Sequence, residues 1–306
     1  MKKELLIVGV IFVLLAVGLS GCTNTNQTSD NEDKENGKEP EQEYIWSEMT
    51  EGPYRDKVSF ATSTDLLNWN DSKKILAEHA SVPGAIYKND TIYVYFVDVS
   101  EDGKPEQLGL ICSTDNGQTW SSKEYVVFDG IEEKVPVDPA PFLLSDGRIR
   151  LYYFDINEQR ISPNQEATNK IYSAISTDGI HFVQDDGIRF ERKGIFDPDA
   201  VEVNGTWRLY VGDIEGNEVI SAVSSDGVSF TEEGTAFSGG AVPDVFFKDD
   251  TYYLYTAGID ISTSQNGTSF SKTSYSFRSQ QGMVTADPSV IDLNDGTYMM
   301  LYKTKE

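Results

Sequence analysis

The chain has 306 residues, with 50 acidic against 25 basic side chains and a formal net charge of −25. That length suits one large β domain or two smaller ones with ample core, and that charge repels nucleic-acid phosphates and anionic lipid, which excludes DNA, RNA and polybasic membrane binding. Cys22 and Cys112 are the two cysteines, and Cys22 has a separate role at the end of the export signal, so no disulfide framework is expected.

Residues 1–21 read as an export signal. Lys2 and Lys3 precede an apolar run over residues 5–17, shorter than the roughly 20 apolar residues that a spanning helix needs. The run ends in Leu19-Ser20-Gly21-Cys22, which resembles the lipobox of prokaryotic lipoproteins. The resemblance implies cleavage before Cys22 and a thioether-linked lipid on its sulfur; Glu4 departs from the usual basic start. An uncleaved membrane anchor is the alternative. Either way the remainder lies on the outer face of the membrane. Residues 22–43 carry almost no apolar side chain, cannot offset their ordering entropy by burial, and are expected to form a disordered tether.

Residues 44–306 read as all β. Apolar runs such as Ile92-Tyr93-Val94-Tyr95-Phe96-Val97 are bounded by Asn-Asp, Asp-Gly and Asn-Gly turns, and no stretch sustains a helical period. A repeat recurs through this region. Its copies open with Val82-Pro83-Gly84, Val137-Asp138-Pro139, Phe196-Asp197-Pro198-Asp199, Val242-Pro243-Asp244 and Ala286-Asp287-Pro288. An aromatic-rich strand follows each opening, then a Ser-rich strand with a turn such as Ser176-Thr177-Asp178-Gly179-Ile180-His181-Phe182. Four strands of this length make a propeller blade. The last copy stops near Tyr302 without its turn, and the missing half stands at the other end as residues 58–62 and Ser63-Thr64-Asp65-Leu66-Leu67-Asn68-Trp69. Pairing the two ends removes an open edge and predicts a five-bladed β-propeller closed by N-terminal strands joining the C-terminal blade.

The turns resemble the Asp-box of sialidases, most closely at residues 113–120, and suit a structural role in which Asp and Gly make a tight hairpin and the aromatic tucks between blades. The openings resemble those of the five-bladed glycoside hydrolases of families 43, 32, 62, 68, 117 and 130. That resemblance implies innermost strands starting at a central funnel, where an Asp base or nucleophile, a supporting Asp and a Glu acid meet a sugar. Asp138, Asp197, Asp244 and Asp287 would converge there, with Asp199 two residues along. Asp138 and Asp197 are the expected catalytic carboxyls, with Glu51 or Glu202 as the acid. Glu51-Gly52-Pro53 resembles the acid-bearing element of several family 43 enzymes but stands elsewhere in the topology. Glu202 lies on an inner strand without that Gly-Pro context, and Pro83-Gly84 lacks the carboxylate many family 43 members place in the first blade.

If the first strand of each blade leaves the funnel face, the second returns to it. Asp98, Asp155 and Asp213 would then form a second ring, joined by Arg160, Glu101, Glu106, Glu158 and Glu215 from the following loops, and by Tyr54 and Arg55 from the shared blade. Tyr54 or Trp46 could stack on a sugar. Glycosidic cleavage needs one protonated and one ionised carboxyl, and clustered carboxylates drive their pKa values apart. Two other readings of the ring remain open. Asp before Pro can simply lock a strand start, and an oxygen-rich ring can bind a cation such as Ca²⁺. His79 reads as packed or solvated, and Cys112 as a small buried hydrophobe. The expected function is a monomeric surface glycosidase acting on a glycan or cell-surface polymer. The alternative is a non-catalytic propeller binding glycans, cell-wall polymer or a protein partner.

Overall fold

The computed structural model describes residues 44–50, 52–161, 168–280, 282 and 284–305, without the side chains of 159–161. The signal, the tether with Cys22, Glu51 and the Arg160 side chain lie outside these described residues.

Five antiparallel sheets form the blades of a propeller. From the inside outward, blade I runs Ala80–Lys88, Thr91–Asp98, Gln107–Ser113 and Glu124–Tyr125. Blade II starts Pro136–Leu143, Ile149–Asp155, Thr168–Ser176 and His181–Gln184, and is widened by Val127–Asp129, a parallel edge strand borrowed from the linker after blade I. Phe190–Lys193 pairs with the other half of its third strand. Blade III is Ile195–Val203, Thr206–Asp213, Glu218–Ser224 and Thr231–Ser238; blade IV is Asp244–Lys248, Thr251–Thr256, Asp260–Ser264 and Ser271–Ser276. Blade V takes Val284–Asp292 and Tyr298–Lys305 from the C-terminal end and Asp56–Ser63 and Asn70–Glu78 from the N-terminal side. Asp56 pairs with Lys305 and Ser63 with Tyr298 in unbroken register, so the closure expected from the two half-repeats is present. The C-terminal strand runs to Lys305, three residues past the expected end at Tyr302.

The Ser-Asp-Gly turns work as joints between blades. In blade II the Ser176 hydroxyl accepts the Gly179 N–H at 2.8 Å, and Asp178 Oδ1 accepts those of Ile180 and His181 at 2.8 Å each. A buried carbonyl of the turn then meets the neighbouring blade: Tyr95, Tyr152, Tyr210 and Tyr255 donate their hydroxyls to Gly179, Gly227, Gly267 and Leu66 at 2.7–2.9 Å. These four tyrosines are fully buried. At the corresponding place in blade V stands Leu301, opposite Ser289, so the seam between blades V and I lacks this bond. The turn aromatics Phe182, Phe230, Phe270 and Trp69 pack edge-on against the same tyrosines. Buried hydroxyls meeting backbone acceptors and aromatic edges meeting faces are the economical way to join blades. The turns therefore belong to the scaffold, on the face away from the strand openings.

Candidate active site

Each innermost strand begins with the same backbone irregularity. The residue before proline is left-handed in all five blades, with φ of 46° at Val82, 54° at Asp138, 48° at Asp197, 60° at Val242 and 50° at Asp287. Proline denies its predecessor the right-handed helical region, and left-handed valine is rare because its branched Cβ crowds the backbone. In four blades the ladder to the second strand skips this residue and the proline, between Ser81 and Gly84, Val137 and Ala140, Phe196 and Asp199, and Ala286 and Ser289. Such a bulge re-aims a side chain. Since Val82 holds the same conformation in the same bulge, the bulge does not need a carboxylate, and locking the strand start does not by itself explain the aspartates.

Those aspartates line a cavity of about 400 Å³ along the propeller axis. Asp138, Asp197 and Asp287, from blades II, III and V, form one interacting group. Asp138 Oδ2 lies 3.5 Å from the Asp197 amide nitrogen, which donates to it. Burial, then the charge of Asp287, pushes Asp138 up to about 7. Burial, then Asp138 and Asp287, holds Asp197 well above the usual carboxylate range. Lys303 opposes both shifts. Its ammonium lies 2.6 Å from Asp287 Oδ2 and 3.9 Å from Asp56 Oδ2, and Asp56 accepts the Ser81 hydroxyl at 2.9 Å. Glu106, buried in the loop after the second strand of blade I, adds a charge felt by Asp138. Sequence reasoning passed over Lys303, Asp56 and Ser81. A signal for Lys303 exists: the matching positions in the other blades are Val97, Phe154, Gly212 and Ala257.

Asp199 and Asp244, expected to bind substrate, line the same cavity and also tie blades together. Asp199 Oδ2 accepts the Val245 N–H at 2.7 Å, and Asp244 accepts that of Val290 at 3.2 Å. Ser289 does the same for Ala85 at 3.0 Å. Burial raises Asp199 to about 7 and Asp244 well above its usual range, the latter helped by Asp199.

The expected second ring stands where chain tracing put it, at the ends of the second strands, but its carboxylates are engaged locally. Asp98 pairs with Lys123 at 2.8 Å and accepts the Tyr125 hydroxyl. Asp155 accepts the amides of Val135 and Asn157. Asp213 pairs with Arg192 at 2.9 Å and accepts the Gly216 N–H. Tyr54 is stacked on His79 with centroids 4.2 Å apart, its carbonyl 2.7 Å from His79 Nδ1, and the exposed Arg55 reaches over its ring at 5.6 Å. Trp46 is buried and donates to the Lys104 carbonyl, so it offers no open sugar platform. Glu202 is exposed, one residue before the far end of its strand, and bonds the Gly205 amide of the hairpin there. It does not meet Asp138 or Asp197. Cys112 is half-buried rather than buried, with its thiol pushed up to about 11 by burial.

Among the described residues, no three or more His, Cys, Asp or Glu side chains are grouped to hold a metal ion.

No known family profile matches the chain's sequence, and no curated protein matches it. Solved structures do. An endo-1,4-β-xylanase from Bacteroides thetaiotaomicron VPI-5482 superposes with a TM-score of 0.57 at 17% identity, over 73% of this chain and 84% of that one. A family 117 glycoside hydrolase produced by Zobellia galactanivorans gives 0.55 at 14% identity, over 83% and 92%. A thermostable family-43 glycoside hydrolase gives 0.54 at 14% identity, over 72% and 88%. The chain has the five-bladed propeller fold of these glycoside hydrolases.

Proposed function

We propose that this protein hydrolyses glycosidic bonds in its axial cavity, using Asp197 as proton donor beside Asp138 and Asp287. The observation that carries the reading is the convergence of these three carboxyls from three blades in one sugar-sized cavity. Their surroundings separate them: burial and mutual charge raise both Asp138 and Asp197, so that this pair retains a proton towards neutrality, and Asp287 is ion-paired with Lys303. That division is what glycosidic cleavage requires. Asp197 passes its proton to the glycosidic oxygen as the bond to the anomeric carbon breaks, the bonding pair leaving with that oxygen. Negative charge at Asp138 and Asp287 supports the oxocarbenium-like centre. A water supplies the hydroxyl to the anomeric carbon and returns a proton to Asp197.

The cavity lining carries carboxylates and, among the described residues, no Lys, Arg or His. Uronates, sialosides and sulfated glycans would meet repulsion there, so uncharged glycans are the proposed substrates. We place the protein on the outer face of a prokaryotic membrane, lipid-anchored through Cys22 and working as a monomer.

One observation favours a second reading, a propeller that binds glycan, cell-wall polymer or a protein partner without cleaving it. Glu202 stands at the far mouth, away from the Asp138–Asp197 pair.

The test is crystallographic. Crystals of Asp197→Asn, expressed from residue 44, would be soaked with arabino-, xylo- and fructo-oligosaccharides. The proposal expects a sugar ring in the axial cavity against Asp138. Sugar bound only on the outer surface, or by none of these probes, would count against it.

A further inference from the structure

We propose that Lys303 is a positioning residue that distributes negative charge within the axial cavity, holding Asp287 and Asp56 as its anions and leaving Asp138 and Asp197 as the pair that exchanges a proton. Its role in catalysis rests on the hydrolytic reading; its electrostatic role does not.

Lys303 breaks the repeat. The second strand of every blade passes the opening of its innermost strand, and the residue opposite that opening is Val97, Phe154, Gly212 or Ala257 in blades I to IV. Blade V alone among these places a cation there, with Lys303 paired to Ala286. Placing a lysine where its relatives are apolar is unfavourable unless its charge is met. Here it is met on two sides, by Asp287 at 2.6 Å and Asp56 at 3.9 Å.

Each of these anions is fixed in turn. Asp287 stands on the left-handed bulge of blade V. Asp56 accepts the Ser81 hydroxyl, which ties the start of the third strand of blade V to the opening of blade I. Burial works to lower the Lys303 pKa, but Asp287, Asp56 and, more weakly, Asp197 outweigh it and keep the ammonium charged. The charged groups facing this network are therefore Asp56, Asp138, Asp197 and Asp287, with Glu106 acting on Asp138 and Lys305 on Asp56. Without Lys303, the carboxyls around it could not remain ionised together, and the identity of the proton holder would no longer be fixed by the fold.

The test is a carbon-13 NMR titration of the aspartate carboxyls in the chain from residue 44, with no sugar present. Lys303→Met is expected to raise the midpoints of Asp138 and Asp197 by about one pH unit or more, the ordinary effect of losing an adjacent opposite charge. Lys303→Arg should keep them near the native values. Should Lys303→Met fail to fold, Asp56→Asn answers the same question with the opposite sign: it frees Lys303 from one anion and should lower both midpoints. Midpoints that stay put in whichever of these two variants folds would overturn the assignment. If the protein releases sugar, the pH–rate profile of Lys303→Met should move with the midpoints. A protein that releases none would overturn hydrolysis and leave the titration result standing, so the two failures are distinguishable.

Discussion

Asp197→Asn is expected to reduce sugar release by about 10²–10⁴-fold, the usual contribution of a positioned general acid, while leaving the propeller folded. Asparagine keeps the shape of the side chain at the left-handed bulge and loses the transferable proton. Left-handed backbone also suits asparagine well. The same variant carries a second, sign-specific consequence. Burial beside Asp138 and Asp287 holds Asp197 well above its usual value of 3.8, and Asp138 sits at about 7. The folded chain thus keeps protons that the unfolded chain releases near pH 4. Where the native state binds more protons, stability falls as pH rises. The stabilising protonation is complete below about pH 4 and is lost as pH climbs through 7 and above. Urea unfolding between pH 4 and 8 should show this decline in the native chain and a shallower one in Asp197→Asn. An equal slope in both would show that Asp197 is an ordinary exposed carboxylate, and the acid role would fall with it.

Gly84→Ala is expected to be the most damaging single methyl addition at a blade seam. A Cβ at Gly84 would lie 1.9 Å from the Pro139 carbonyl oxygen and 2.7 Å from Pro141 Cδ. Both neighbours are backbone or ring atoms of blade II and cannot swing aside. The seam explains the glycine. Elsewhere in this belt a side chain reaches the next blade's amide, as Asp199 reaches Val245, Asp244 reaches Val290 and Ser289 reaches Ala85. At the corresponding place in blade II stands Pro141, which has no N–H to offer, and opposite it stands a residue with no side chain. Overpacking of this kind costs roughly 3 kcal/mol or more, which for a domain of this size is a fall in Tm of about 6–12 °C. Gly205→Ala is the comparison. Its hairpin position is left-handed, with nothing within 4 Å of the added methyl, and should cost only about 1 kcal/mol. Equal losses in the two variants would mean that the seam between blades I and II can open.

The fold is legible because the repeat writes it five times. The half-repeat at residues 58–69 and the truncated copy after Asp287 give the ring closure before any contact is known, and Asp56–Lys305 pairing follows from it. The convergence of Asp138, Asp197 and Asp287 is legible for the same reason, since equivalent positions of a closed ring face one axis. Asp199 and Asp244 are a different case. Their carboxylate type and their place on the cavity are visible in sequence, but the amide of the next blade that each also accepts is set by the register across a seam. Asp98, Asp155 and Asp213 trace to the right face from sequence, yet Lys123, Val135 and Arg192, which occupy them, come from segments 20 to 25 residues away with no repeat to announce them. Lys303 escapes because it is a departure from the repeat, and a departure carries meaning only once its three-dimensional neighbours, Asp287 and Asp56, are known. Glu202 misleads for the opposite reason: it shares the inner strand with Asp197, and five residues of extended chain carry it some 16 Å away.

The measurement that bears most directly on the hydrolytic reading is reducing-sugar release by the chain from residue 44 on arabinan, xylan, fructan and mannan beside pectate and sialosides. The account predicts release from at least one uncharged glycan and none from the charged ones. Release confined to pectate or sialosides, or silence across the whole panel from a folded protein, would contradict it.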